Sequence, residues 1–272
     1  MAKGKRAALI ALLLITLALA AAVAVALLGG TGAPKAAPTA EPAAAASPAP
    51  REMVSQQSMV YRRQRVAFFP NEGDWVYRFT YAYPELEGET YAAAAVNDAY
   101  QMARDEMLQL ILPMFASEPG MYYNGKNEVT HDFTVTCDNG ALLSILERQT
   151  QTMGDKTQYS LEAHVFDMAG EYQGEALTLR GVTMAGESSD QLAQALMPIL
   201  YREFVALQES GVADPHKTEA EFQAEFSPLR DFYADEQGNA VFFFPPSLLA
   251  QPSFDVPLFP YTAAQLAALV QP

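Results

Sequence analysis

Cysteine is almost absent. Cys137 is the single one in 272 residues, so no internal disulfide can form and any folded part must be held together by its core. Histidine is nearly as scarce: His131, His164 and His216 are widely separated, and none has a second histidine four positions away. That spacing excludes the helical ligand pair of a zinc protease and offers no deacetylase metal set. The chain also lacks a Gly-x-Ser-x-Gly elbow, a Gly-x-x-x-x-Gly-Lys-Ser/Thr loop and a Gly-x-Gly-x-x-Gly turn, which removes the usual nucleophile, phosphate and dinucleotide signatures. Positive charge is scarce too, with 17 Lys+Arg against 32 Asp+Glu. A body this acidic repels nucleic acid, so no nucleic-acid partner is expected. No residue is assigned as catalytic, cofactor-binding or metal-ligating, and no cofactor is expected.

What the sequence has in abundance is one long apolar run. Ala7–Leu28 spans 22 residues interrupted only by Thr16, and at about 1.5 Å per residue a helix of that length reaches about 33 Å, enough to cross a bilayer core. Lys3, Lys5 and Arg6 precede it without any acid, which marks the short side as cytoplasmic. The expected layout is therefore a cytoplasmic stub over 1–6, a signal-anchor helix over 7–28 and an exported remainder, a single-pass cell-membrane protein. The alternative is secretion after cleavage at Ala18-Leu19-Ala20 or Ala24-Val25-Ala26. A lipoprotein anchor is excluded because Cys137 lies far from any processing site. Residues 1–30 hold three of the cations and none of the acids, leaving residues 31–272 with 14 against 32, a net −18.

Residues 29–60 read as an Ala/Pro-rich linker, extended by its prolines and unable to bury a core. An N-terminal α+β module is expected over 61–185. Within it, Trp75–Tyr83 has strand composition and Pro84 should end it. A helix capped by Thr90 should bury Val96, Tyr100, Ala103, Met107 and Leu110, with Asn97 and Asp98 off that stripe as exposed or capping groups. Glu128–Gln149 forms a hairpin about Asn139-Gly140, its alternation placing His131 and Cys137 on one apolar face. His131 is expected to be a hydrogen-bonded core residue. Tyr159–Phe166 and Ala176–Leu179 read as further strands.

The C-terminal module is expected over 186–272. A helix capped by Ser188 with Gln191 carries Leu192, Leu196, Leu200, Phe204 and Leu207 inward, and a shorter one capped by Thr218 with Glu221 buries Phe222 and Phe226. Strands follow at Arg230–Ala234, Ala240–Phe244 and Phe254–Phe259, then a terminal helix capped by Thr262. The predicted fold class is α+β, two packed modules of antiparallel sheet with helices, preceded by one transmembrane helix.

Asp231-Phe232-Tyr233, the Gly238 turn, Val241–Pro245, Val256-Pro257-Leu258 and Tyr261–Leu266 resemble the C-terminal module of the extracytoplasmic domain of anti-sigma-V factors (RsiV-like) and peptidoglycan deacetylases (PdaC-like). Tyr83-Pro84, the helix with Asn97, Leu142-Leu143-Ser144, Phe166-Asp167 to Gly170 and Leu177-Thr178-Leu179 are similar to its companion module, in the same order. The resemblance implies a sensory or binding module of the bacterial cell envelope. Its ligand would be a cationic wall-active protein such as a lysozyme, or the wall itself. A sigma-binding segment is not expected, since only Met1–Arg6 precede the anchor, and the chain has no room for the separate catalytic domain of the deacetylases. The Gly-Ala-His-Gly stretch of the family is replaced by Met153-Gly154-Asp155-Lys156-Thr157. Two other readings stand beside the binding module: a wall-glycan hydrolase using two of the many carboxylates, and a structural envelope accessory.

Overall fold

The computed structural model describes residues 52–69, 72–106, 127–171, 173–185 and 188–270. The expected anchor at Ala7–Leu28 lies outside them, and among the described residues no helix is long and apolar enough to cross a membrane. Among the described residues the architecture is α+β, with a six-stranded sheet, a three-stranded sheet and five α-helices.

The large sheet comprises β1 (Glu52–Ser55), β2 (Val60–Phe69), β3 (Tyr77–Leu86), β4 (Asn127–Asp138), β5 (Leu142–Met153) and β6 (Lys156–Asp167), side by side in chain order. It thus begins inside the stretch expected to be linker, because Glu52 and Met53 pair with Arg62 and Tyr61. Two of the three arginines of β2 are committed within the sheet: Arg62 contacts Asp132 and Arg63 contacts Glu85. The sheet is not wholly antiparallel. β3 and β4 pair in parallel from Tyr77/Asn127 to Tyr81/His131, as a crossover through helix α1 (Tyr91–Glu106) allows.

Pro84 does not end β3. The strand continues to Leu86, with Pro84 opposite Arg62 of β2, whereas pairing to β4 stops at Tyr81. Pro84 therefore sits where β3 has a neighbour on one side only, a local edge that tolerates a missing N–H. The freed edge is served by α1. The Asn97 amide donates to Leu86 O at 2.9 Å and accepts from Leu86 N at 2.8 Å, so Asn97 is a structural bridge rather than an exposed group. Asp98 is exposed. Ala93, Val96 and Tyr100 of α1 pack with Phe79, Tyr81, Phe133 and Ile145 into the first core. Met107 and Leu110, the expected continuation of the helix stripe, lie outside the described residues.

The β4–β5 hairpin turns at Asn139-Gly140, where Gly140 takes φ +84° and the Asn139 side chain accepts from Ala141 N and Leu142 N. One detail departs from simple alternation. Val135 pairs with Ile145, but Cys137 pairs with Ser144, a β-bulge at Thr136. The extra residue turns Cys137 to the opposite face from His131 and Phe133. Val135 packs against the first core, and Cys137 belongs to the second.

That second core is the C-terminal module docked on the other face of the large sheet. Ala176 makes only a single bridge to Phe166, not a strand. Thr178 then caps α2 (Leu179–Thr183) by accepting from Gly181 N. Leu179 and Ala185 contribute to the second core, as Cys137 and Val165 of the large sheet do. Gly174, at φ +80°, lets the preceding loop touch α1, since a Cβ there would fall 2.5 Å from Ala95 Cβ. Helix α3 (Ser189–Glu209) is capped by Ser188 and buries Leu192, Leu196, Leu200 and Phe204. Helix α4 (Glu219–Glu225) is a seven-residue element with a complete Thr218/Glu221 capping box, too short to persist alone. Phe222 holds it, with ring centroids 4.8 Å from Phe204, 5.2 Å from Phe226 and 5.4 Å from Phe244.

The small sheet has β7 (Phe232–Ala234) and β9 (Leu258–Tyr261) flanking β8 (Ala240–Phe243), all antiparallel. β7 is shorter than expected because Arg230 N and Asp231 N both donate to Ser227 O, in a turn that ends where the strand begins. β9 starts after Pro257 rather than at Phe254. Helix α5 (Ala263–Val270) closes the core through Leu266. The two modules are joined by a polar contact as well as by packing: Ser144 Oγ accepts from Ala234 N at 3.0 Å and from Thr136 Oγ1 at 2.9 Å.

Candidate functional site

The densest chemistry lies under α1. In β3 and β4 the directly opposed residues Tyr81 and His131 share a face, as do Phe133 and Glu147 across β4–β5, and Glu147 and Glu162 across β5–β6. His131 occupies the core, its ring 4.5 Å from that of Tyr81. It also fills the gap left where β3 parts from β4. His131 Nδ1 lies 2.9 Å from Ala82 O, and Nε2 lies 2.6 Å from Glu147 Oε2. A carbonyl and a carboxylate are both acceptors, so the imidazole meets both by carrying two protons, as an imidazolium paired with an ionised Glu147. The Tyr100 hydroxyl donates to Glu147 Oε1 at 2.7 Å.

The acidities agree with this ion pair. Burial pulls the His131 imidazolium down, but the Glu147 charge and hydrogen bond, with that of Ala82 O, lift it above its ordinary value. Burial raises the Glu147 carboxyl, yet the charge and hydrogen bond of His131, then His164 and Tyr100, hold it well below the usual carboxylate range. Burial and the Glu147 charge push the Tyr100 phenol up, keeping it a neutral donor. At the open end, His164 lies 3.7 Å from Glu147 Oε1 and 3.6 Å from Glu162 Oε1. Desolvation raises Glu162 despite His164, and the Glu147 charge adds to it.

Two histidines far apart in sequence thus flank one carboxylate, and His216 is exposed elsewhere. Among the described residues no group of three or more His, Cys, Asp and Glu is arranged to hold a metal ion. Both Glu147 oxygens and both His131 nitrogens are already bonded, so the inner part of the cluster fastens β3, β4, β5 and α1 together. Glu147 and Glu162 escape sequence reasoning, which finds Tyr100 only as a core residue of the helix stripe. A signal was present: Leu143, Ile145 and Glu147 fall on one face of β5, and the register of the Asn139-Gly140 turn sets Glu147 beside His131.

A second feature is a groove of about 390 Å³ between β1 and the end of β4, with Ser55, Thr136, Cys137, Asp138 and Glu236 on its walls. Asp138 ties the β1–β2 turn to β4, accepting from Ser58 N at 2.9 Å, from Ser58 Oγ at 2.5 Å and from Ser55 Oγ. Burial pushes the Cys137 thiol up, and Asp138, Asp235 and Glu236 add to the effect, so it stays protonated and is a poor nucleophile. The groove is polar and carries two acids, Asp138 and Glu236.

No family model matches the chain, and no curated protein matches it. Among solved structures, it is similar to a crystal structure described as a member of the duf3298 family from Bacteroides fragilis, at 13% identity and a TM-score of 0.43, over 79% of this chain and 100% of that one.

Proposed function

We propose that the protein is a membrane-tethered extracytoplasmic binding or sensory module of the bacterial cell envelope, non-catalytic, whose ligand is a cationic wall-active protein such as a lysozyme. Charge carries this reading: residues 31–272 hold 14 cations against 32 acids. Several of those cations are spent internally, on Arg62–Asp132, Arg63–Glu85, Arg78–Glu128, Lys217–Glu225 and Arg230–Asp231. The surplus acids, including Glu236 at the groove, set a negative field that accelerates approach of a cationic partner and weakens with salt. The run Ala7–Leu28 would supply the tether. The test is binding of the full-length chain in detergent to lysozyme across a salt series. A Kd that rises steeply with ionic strength supports the proposal, and no binding at low ionic strength removes it.

A second reading, a wall-glycan hydrolase, is favoured by one observation. Glu147 and Glu162 face each other across β5–β6 with acidities displaced in opposite directions, the pattern of an acid/base pair. Against it, both Glu147 oxygens already accept hydrogen bonds. Clearing of a peptidoglycan suspension, lost in Glu162→Gln, would establish the hydrolase; no clearing by the wild type dismisses it.

A further inference from the structure

Among the described residues, β6 is the one sheet end that carries no guard. β1 has four residues and a bulge between Met53 and Ser55, β7 has three residues, and β9 has four with Pro260 among them. β6 runs for 12 residues in unbroken register with β5 and contains no proline. A long, regular edge is a template for another strand, and short length, bulges and prolines are the means by which edges are blunted.

The upper end of β6 shows which backbone groups face outward. Val165 O accepts from Leu177 N at 2.6 Å, Asp167 N donates to Glu175 O at 3.1 Å, and Asp167 O accepts from Gly174 N at 2.6 Å. Residues 174–177 thus begin a seventh strand position, antiparallel through the Phe166–Ala176 bridge, and leave it where Thr178 caps α2. Backbone groups alternate in direction along a strand, so Thr157, Tyr159, Leu161 and Ala163 also turn their N–H and C=O outward. None of these groups has a hydrogen-bond partner among the described residues.

The side chains beside this edge state what fits it. Tyr159, Leu161 and Ala163 are half-buried on the face of the C-terminal module, where the Tyr159 ring meets that of Phe254 edge-on at 5.1 Å. On the α1 face, Glu162 keeps a side chain 38% exposed and stands directly opposite Glu147, a like-charge pair. Glu147 is answered by His131. Glu162 has His164 at 3.6 Å and shares it with Glu147 at 3.7 Å. The Arg230 charge reaches Glu162 as well, but that guanidinium is bonded to both oxygens of Asp231. An incoming strand that alternates apolar and cationic residues complements both faces of the edge.

We propose that the free edge of β6 receives an extended segment of the cationic partner as an added antiparallel strand, with Lys or Arg opposite Ser160 and Glu162 and apolar residues opposite Tyr159 and Leu161. In such an addition the main-chain hydrogen bonds supply affinity and alternate side chains supply specificity. The charge of the occupant rests on the cationic-partner reading above. A second copy of this chain is disfavoured there, since two bodies of net −18 over residues 31–272 repel each other.

The probe is an eight-residue peptide of alternating Lys and Val, added at low salt to the full-length chain in detergent, with hydrogen exchange followed over residues 156–164. Binding should slow exchange at the Tyr159, Leu161 and Ala163 amides by about tenfold or more. Methylating the valine amides, which would bond to β6, should weaken binding by about tenfold or more, and Glu162→Gln should weaken it about two- to fivefold. Leu161→Pro removes an outward N–H that the ladder to β5 does not use and should abolish the slowing; if it does not fold, the methylated peptide decides. No slowing in the wild type, or equal binding of the methylated peptide, overturns the docking. Dimerisation of the wild type that Leu161→Pro abolishes overturns the choice of occupant. Lysozyme that binds without slowing exchange over 156–164 overturns the docking and leaves the cationic-partner reading standing, whereas peptide bound at the edge with no lysozyme binding supports the edge and removes that ligand.

Discussion

Replacing His131 by Leu isolates the buried ion pair. The substitution keeps apolar bulk beside Tyr81 and removes both ring nitrogens, leaving Glu147 with the Tyr100 hydroxyl at 2.7 Å and His164 at 3.7 Å. Breaking a buried pair from one side costs about 3–5 kcal/mol because the surviving charge is uncompensated, and Ala82 O loses its donor as well. In a domain of this size that is a fall in Tm of about 10 °C. The pH dependence has a definite sign. In the wild type, the raised His131 pKa gives stability that is complete below its unfolded value of about 6.5 and lost as pH rises through the folded value. The lowered Glu147 pKa gives stability present above about 4.5 and lost as pH falls through the folded value. In His131→Leu, burial without the imidazolium raises Glu147 instead, so protonating it relieves the variant. Measured against His131→Leu/Glu147→Leu, which lacks both titrating groups, the deficit of the single variant should therefore shrink between pH 7 and pH 5. Urea unfolding followed through Trp75, the single tryptophan, measures both quantities. A second removal, Glu147→Leu on top of His131→Leu, should recover most of the loss. A deficit against wild type under about 1 kcal/mol at pH 7, or a gap between the single and double variants unchanged between the two pH values, would refute an ionised pair.

Other substitutions probe the scaffold by the same urea assay. Phe222→Ala empties the centre of the second core, where four rings meet, and should cost about 3–5 kcal/mol. Asn97→Ala strips the partners from Leu86 N and O at the freed edge of β3 and should cost about 2–3 kcal/mol; limited proteolysis should then cut first near Pro84–Thr90. Ser144→Ala leaves Ala234 N without its acceptor between the modules, and Thr136 Oγ1 with Ser144 O alone at 3.3 Å. A loss of about 1–2 kcal/mol is expected, with hydrogen exchange at Ala234 N rising more than at Phe242 N.

Local chemistry was legible in the residues themselves. The Thr218/Glu221 box, the Ser188 cap, the Asn139-Gly140 turn and the Leu192–Phe204 stripe all act within about one to five helical or strand steps, so the sequence alone predicts them. Reading failed where a partner from elsewhere altered the local rule. Pro84 looked like a terminator because its tolerance depends on β4 having left β3 by then. Asn97 looked like a surface residue because its partner is the backbone of another element. Cys137 looked like a companion of His131 because a one-residue bulge leaves no mark on an alternating pattern.

By itself the sequence determined an acidic chain without disulfide support, an apolar run long enough to span a bilayer, an α+β order of elements and most of the residues that make the cores. These follow from composition and periodicity, which are properties of the chain taken along its length. The tertiary structure alone decided that β3 and β4 run parallel, that His131, Glu147 and Tyr100 meet as one buried ionic cluster, and that Arg62 takes the acid opposite Arg148. Charge pairing at these places is a competition settled by distances of a few ångströms between distant segments, and such distances exist only once the chain has folded.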